Sequence, residues 1–310
     1  MLALEGLQKQ GMQKLILDLR DNGGGILDNA VEIADEFLDG NKLITYTEGK
    51  HLPKKEYKCK RNGLFEKGEL VVLANEGSAS ASEVLLGALQ DWDRATIIGR
   101  RTFGKGLVQE QYNLSDGSAL RLTVARYYTP IGRSIQRSYS NGEKEYYNDM
   151  ASRYYEVINI DSAKNDSSKI FKTMGGKTVY GGAGITPDIF VGIDTALVTK
   201  TTIPFYARNT ISNFAYKFYL DNKTMLLKYQ IVKDFNNNFS FTESNWNEFL
   251  LKAAADSITS TFTILQKQDI INRIKANVAR ILWRSQGYFE IINTNDQAIS
   301  SALKVLNKKN

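Results

Sequence analysis

The chain is predicted to fold as an α/β protein, a mixed sheet flanked by helices followed by a helical region, and three observations carry that reading. Apolar runs at Leu15–Leu19, Leu70–Ala74 and Ala95–Ile98 read as strands, the first of them buried. Turns rich in glycine and small residues follow the first two runs and lead into segments whose apolar residues recur at helical spacing. From about residue 200 the helical period stands alone.

Taken in order, Leu15–Leu19 leads through Gly23, Gly24 and Gly25 into a helix with Ala30, Ile33, Ala34, Phe37 and Leu38 on one face. Leu70–Ala74 leads through Gly77-Ser78-Ala79-Ser80-Ala81-Ser82-Glu83 into a helix carrying Val84, Leu85, Ala88, Leu89 and Trp92. Beyond Ala95–Ile98 comes Thr102-Phe103-Gly104-Lys105-Gly106, then two strands, Leu107–Tyr112 and Leu120–Tyr128, joined at an Asp116-Gly117 hairpin turn. Residues 137–177 are polar and tyrosine-rich, with Tyr146, Tyr147, Met150 and Tyr154 at helix-like spacing, and read as an insertion near the mouth of a site. Three apolar stripes follow: Ile211, Phe214, Ala215, Phe218 and Tyr219; then Trp246, Phe249, Leu250, Ala253 and Ile258; then Ile270, Ile271, Ile274, Val278, Ile281 and Leu282. A final helix is expected through Ala298, Ile299, Ala302 and Leu303. This divides the chain into a core over residues 1–200 and a helical region over 201–310.

Composition narrows the function classes. A net charge of +6 is spread without a long basic run, so nucleic-acid binding is not implied, and no apolar stretch approaches a membrane span. One histidine, His51, lies in a polar connector, and one cysteine, Cys59, sits between two lysines. Together they give no support for a zinc site, a Ser-His-Asp triad or an intrachain disulfide, and no metal or cofactor is expected.

The residues that remain for chemistry are serines and a lysine. Ser80 opens a helix, where backbone N–H groups lack intrahelical partners and can face an oxyanion. Its competing reading is a capping box with Glu83, and Ser78 and Ser82 are rival hydroxyls that spacing does not exclude. For Lys105 the competing readings are a solvated loop lysine and a phosphate loop. Gly99 to Lys105 fits the first seven positions of a Walker A motif, but Gly106 stands where Ser or Thr must hold Mg²⁺ and a strand follows instead of a helix.

Five motifs in order, LDLRDNGGG from Leu17, GSASASE from Gly77, TFGKG with Gln109, YTPIGRSIQ from Tyr128 and GITPD from Gly184, resemble the C-terminal processing peptidases, or tail-specific proteases, over residues 13–190. The resemblance implies a ClpP/crotonase-like peptidase core. It implies Ser80 as nucleophile, Lys105 as general base and Gln109 as the support of that lysine. The oxyanion hole would combine the N–H of Ala81 with that of Gly25 or Gly24. A lysine of ordinary pKa, about 10.4, is protonated at neutral pH, so a lysine in this role must be desolvated, and glycines beside it let the backbone pack closely. Gln109 would accept from the lysine without adding a charge. For Asp18, Arg20 and Asp21 paired charges that fix the loop are expected.

Protein or peptide substrates with accessible C-termini are the partners implied, and a homo-oligomer is left open. Family members carry a PDZ domain and a core strand ahead of the DLR segment and a signal sequence for export. The expectation is therefore a chain lacking that N-terminal part, from a protein that is periplasmic or exported. An inactive peptide-binding fragment of the same fold is the alternative to an endopeptidase.

Overall fold

The computed structural model describes residues 1–139, 142, 144, 146, 148, 170–256, 258 and 261–308. They form two compact units, residues 1–192 with 298–310, and residues 193–297.

The first unit is built on a parallel sheet of β1 (Lys14–Asp18), β4 (Glu69–Ala74), β5 (Thr96–Gly99) and β10 (Ile189–Phe190), in the order β1-β4-β5-β10. The apolar runs are continuous because both faces of this sheet are covered. Along β4, Leu70, Val72 and Ala74 pack with Val84, Leu85, Leu86 and Leu89 of helix α3 (Ala81–Asp91) and with helix α2 (Leu27–Asp35). The alternate residues Val71 and Leu73 turn to the other face and meet Ala298, Ala302 and Leu306 of the last helix, Gln297–Leu306. Strand periodicity thus divides one run of residues between two cores.

A second, antiparallel sheet runs β3 (Lys55–Lys58), β2 (Leu43–Glu48), β7 (Ala119–Tyr128), β6 (Leu107–Asn113). The expected mixture of parallel and antiparallel pairing is present, divided between two sheets. β6 and β7 form the predicted hairpin, with Gly117 at φ +85° in its turn. The indole of Trp92, just past α3, donates to the Leu43 carbonyl at 2.8 Å and ties the second sheet to the helix layer. One apolar face differs from the sequence reading. Val31 is buried on α2 and Ile33 is 44% exposed, because the helix ends at Asp35 and the chain turns before Phe37 and Leu38 enter the core.

The second unit is helical: α4 (Ile203–Ala207), α5 (Thr210–Asp221), α6 (Lys223–Leu226), α7 (Val232–Asn238), α8 (Glu243–Ala255) and α9 (Ile264–Ile292). Its core is aromatic, with Phe205, Phe214, Phe218, Phe235, Trp246 and Phe249 packed around Ile270, Ile274 and Val278. The three predicted stripes supply most of it. The long helix α9 is broken where Arg284 takes a φ of +59°. No helix among the described residues is long and apolar enough to cross a membrane. Of the tyrosine-rich segment, Tyr146 is buried and stacked on Tyr139 at 4.3 Å, whereas Tyr147, Met150 and Tyr154 lie outside the described residues.

Cys59 is buried beyond the end of β3, and burial, aided by the neighbouring Asp35 carboxylate, pushes its thiol up to about 12. At pH 8 only ~10⁻⁴ of such a thiol is thiolate. Iodoacetamide should therefore leave Cys59 largely unmodified in the folded protein and alkylate it readily in denaturant, as read by intact mass. Stoichiometric labelling of the native protein within minutes would contradict the buried placement.

Candidate active site

Three loops meet at the C-terminal ends of the parallel strands, the edge at which open α/β sheets place ligands. They are the glycine turn after β1, the serine turn between β4 and α3, and the lysine loop between β5 and β6. Between them and the β6–β7 hairpin lies a cavity of about 390 Å³, lined by Gly25, Ser80, Ala81, Lys105, Gln109 and Tyr127 among others.

The serine turn resolves the three hydroxyls. Ser78 is fully buried, with its Oγ donating to the Leu19 carbonyl at 2.7 Å and accepting from the Asn75 N–H at 3.0 Å. Ser82 donates to Asn22 Oδ1 at 2.9 Å. Both serve to anchor the serine turn to the segment after β1. Ser80 alone of the three lines the cavity, half-buried, at φ 58° and ψ −117°. A positive φ at a non-glycine residue is strained and persists only where its surroundings impose it.

Those surroundings centre on Glu83, whose side chain is fully buried. Its Oε2 accepts from the N–H of Ser80 and of Lys105, each at 2.8 Å, and its Oε1 accepts from Gly104 N–H at 2.7 Å and Thr102 Oγ1 at 2.5 Å. The capping carboxylate of the sequence reading therefore also clamps the lysine loop, which lies about twenty residues further along the chain. Burial raises the Glu83 carboxyl pKa and the four donors lower it, burial being the larger effect.

The lysine loop is fixed at nearly every backbone group. Phe103 N–H donates to Ser78 O at 2.9 Å, Gly106 N–H to Gln136 Oε1 at 2.8 Å, and Arg137 N–H to Gly104 O at 3.0 Å. Glycine is required at Gly104, where φ is +89° and a Cβ would come within 2.5 Å of Arg137 Cγ. Lys105 is half-buried and sends its side chain to the cavity, making no direct hydrogen bond with Ser80. Gln109 reaches the same cavity from β6, next to a register shift between Val108 and Gln109 that lets neighbouring strand residues face one way.

At the glycine turn, Gly24 has φ +90° and its Cα lies so close to the serine turn that a Cβ would sit 2.5 Å from Ala79 O and 2.7 Å from Ala81 N. Its own N–H donates to Asn22 Oδ1 at 3.0 Å. Gly25 lines the cavity and Gly24 does not, which makes Gly25 the better placed of the two to offer an N–H beside that of Ala81. The charged residues before this turn are structural. Asp18 pairs with Arg20 at 2.7 Å, and Asp21 exchanges hydrogen bonds with Asn75 at 2.8 and 2.9 Å.

The later motifs brace the site from behind. Ile185 N–H donates to Thr102 Oγ1 at 2.7 Å, and a Cβ on Gly184 would meet Thr102 O at 2.5 Å. Asp188 Oδ2 accepts from Ile97 N–H at 2.7 Å. Arg133, fully buried, pairs with buried Asp91 at 2.5 Å. Absent from the sequence reading was Tyr127, a buried residue whose phenol donates to the Lys105 carbonyl; strand alternation marks it as inward-facing but does not say what its hydroxyl meets.

Comparisons with known proteins agree with the motifs. The model of Peptidase family S41 matches residues 2–146, and a family of unknown function (DUF8443) matches residues 204–284. A chloroplastic C-terminal processing peptidase of Tetradesmus obliquus is 45% identical over 135 residues, covering 44% of this chain and 29% of the relative. A carboxyl-terminal-processing protease of Picosynechococcus sp. is 44% identical over 145 residues, 44% of this chain and 32% of the relative. The solved photosystem II D1 C-terminal processing protease is 33% identical over 61% of this chain and 38% of its own, with a TM-score of 0.44. The chain thus spans about a third of the length of the curated relatives it matches, and the resemblance to C-terminal processing peptidases is borne out for its first half.

Two substitutions test this geometry. Glu83→Gln replaces two acceptor oxygens by one oxygen and an NH₂ facing donors, and should lower stability by about 2–4 kcal/mol in chemical denaturation. Because burial raises its pKa, the folded state holds the Glu83 proton more tightly than the unfolded chain. Stability from this group therefore falls as pH rises above the ordinary 4.5, a slope that Glu83→Gln should remove. Gly24→Ala should destabilise by more than about 1 kcal/mol, since the new Cβ strikes backbone and the φ is unfavourable. A Tm equal to that of the parent protein would refute the close contact with Ala81.

Proposed function

We propose that the chain carries the catalytic part of a serine endopeptidase of the C-terminal processing type, working through Ser80 and Lys105. One observation carries the proposal. Of the three serines in the turn, the two rivals are hydrogen-bonded into the scaffold, and Ser80 shares a cavity with Lys105, Gln109 and the N–H-bearing residues Gly25 and Ala81.

In this reading a polypeptide enters the cavity with a scissile carbonyl over Ser80. The neutral amine of Lys105 takes the Ser80 hydroxyl proton as Oγ attacks the carbonyl carbon, and the oxygen that becomes negative is received by the N–H groups of Ala81 and Gly25. The resulting ammonium returns that proton to the departing amine nitrogen as the peptide bond breaks. Water then attacks the acyl-enzyme, giving up a proton to the same lysine, and releases the new carboxyl terminus. Gln109 accepts from Lys105 through its amide oxygen and so orients the side chain without a charge that would favour the ammonium.

Substrates with accessible C-termini belong to the same proposal, supported by the names of the relatives, and so does a periplasmic or exported location. The relatives cited come from a cyanobacterium and a chloroplast.

The test is cleavage of an unfolded protein substrate, with products read by mass spectrometry. Ser80→Ala and Lys105→Ala should each lower the rate by about 10³-fold or more, and the double variant should be no worse than either, because the two act as one unit. Gln109→Ala should lose less. Retained cleavage in either single variant would reject the assignment.

A further inference from the structure

We propose that Tyr127 is a positioning residue for this site, its phenol and its backbone N–H together holding the backbone that carries Lys105 in place; this rests on the peptidase reading above.

Tyr127 sits near the end of β7 and grips the lysine loop twice. Its backbone N–H donates to the Gly106 carbonyl at 3.1 Å, and its phenol donates to the Lys105 carbonyl. The ring lines the cavity and is 5% exposed. It shares that cavity with the Ser80 side chain. A phenol has one proton to give. That proton is committed to the Lys105 carbonyl. Burial raises the phenol's pKa, which keeps it a protonated donor across the working pH range.

The consequence is directional. The Lys105 carbonyl is held while its side chain is left to move. Fixing the backbone that carries the amine narrows the positions the amine can take toward Ser80, and such placing of a reacting group is part of catalysis. Phenylalanine at this position would keep the ring and its packing but leave the Lys105 carbonyl without this partner.

The experiment compares the parent protein, Tyr127→Phe, Ser80→Ala and, as a control on the exposed hairpin, Tyr112→Phe, whose lost hydroxyl donates to Glu110. Two readouts are taken: kcat and KM on an unfolded protein, and the rate at which a fluorophosphonate forms its O–P bond to Ser80 with loss of fluoride. Tyr127→Phe should lower kcat and the labelling rate together by about tenfold or more, with KM within about twofold. Tyr112→Phe should match the parent. Incorporating 3-fluorotyrosine at position 127, which restores the hydroxyl, should restore both rates, and it separates loss of the hydroxyl from any loss of folding. Equal kcat and labelling in Tyr127→Phe, or a rise in KM alone, would overturn the inference while leaving the peptidase reading intact. A parent protein that neither cleaves nor labels at Ser80 would overturn both.

Discussion

A single buried carboxylate organises the site. Glu83 receives hydrogen bonds from the serine turn on one side and from the lysine loop on the other, a junction reinforced by the Arg100–Glu76 ion pair and by the Phe103 N–H to Ser78 carbonyl bond. A carboxylate without water must be satisfied by donors, and the donors available here are the backbone groups of the residues whose side chains face the cavity. The need to satisfy one buried carboxylate therefore sets the spacing between the backbones of Ser80 and Lys105. It also sustains the strained Ser80 backbone, since Ser80 N–H is one of the four donors.

From that centre the five motifs form one bonded shell. Thr102 passes a hydrogen bond from Ile185 toward Glu83, Gln136 caps Gly106, Asn22 holds Ser82 and Gly24, and Ser78 ties Leu19 to Asn75. The glycines stand where two backbones pass too close for a Cβ, as Gly24 does against Ala81 and Gly184 against Thr102. Residues far apart in sequence are thus constrained as one unit, which is why the order of the motifs was more informative than any one of them.

What could be read from the sequence follows from this. Ser80, Lys105 and Gln109 lie in short strings whose composition announces a tight turn or a strand, but local chemistry leaves Ser78 and Ser82 as rivals and Lys105 readable as a solvated loop lysine; only the order of the five motifs, through the resemblance they carry, singles the three out. Glu83 was visible only as a helix cap, because its second set of partners enters from a loop that no local pattern connects to it. Strands β2 and β3 escaped notice for a different reason: Leu43–Glu48 carries threonines inward, with Thr45 and Thr47 buried, and Lys55–Lys58 is a charged edge. Neither gives the apolar alternation that betrays a strand. The choice between Gly24 and Gly25 likewise needed coordinates, since it turns on which N–H is already engaged by Asn22.

The division of β4 between two cores bears on how the chain comes into being. One face of the sheet is covered by helices that are synthesised beside it, but the face with Val71, Leu73 and Ile98 is covered by residues 297–306. The helical unit at residues 193–297 is made in between. At ribosomal speeds the sheet waits on the order of ten seconds for its second layer. During that interval the strands that carry the serine and lysine turns lack half their packing, so the newborn chain reaches a rigid cleft only after residues 297–306 have been translated. For a protein that would cut other polypeptides, the order of elements along the chain is then itself a form of timing.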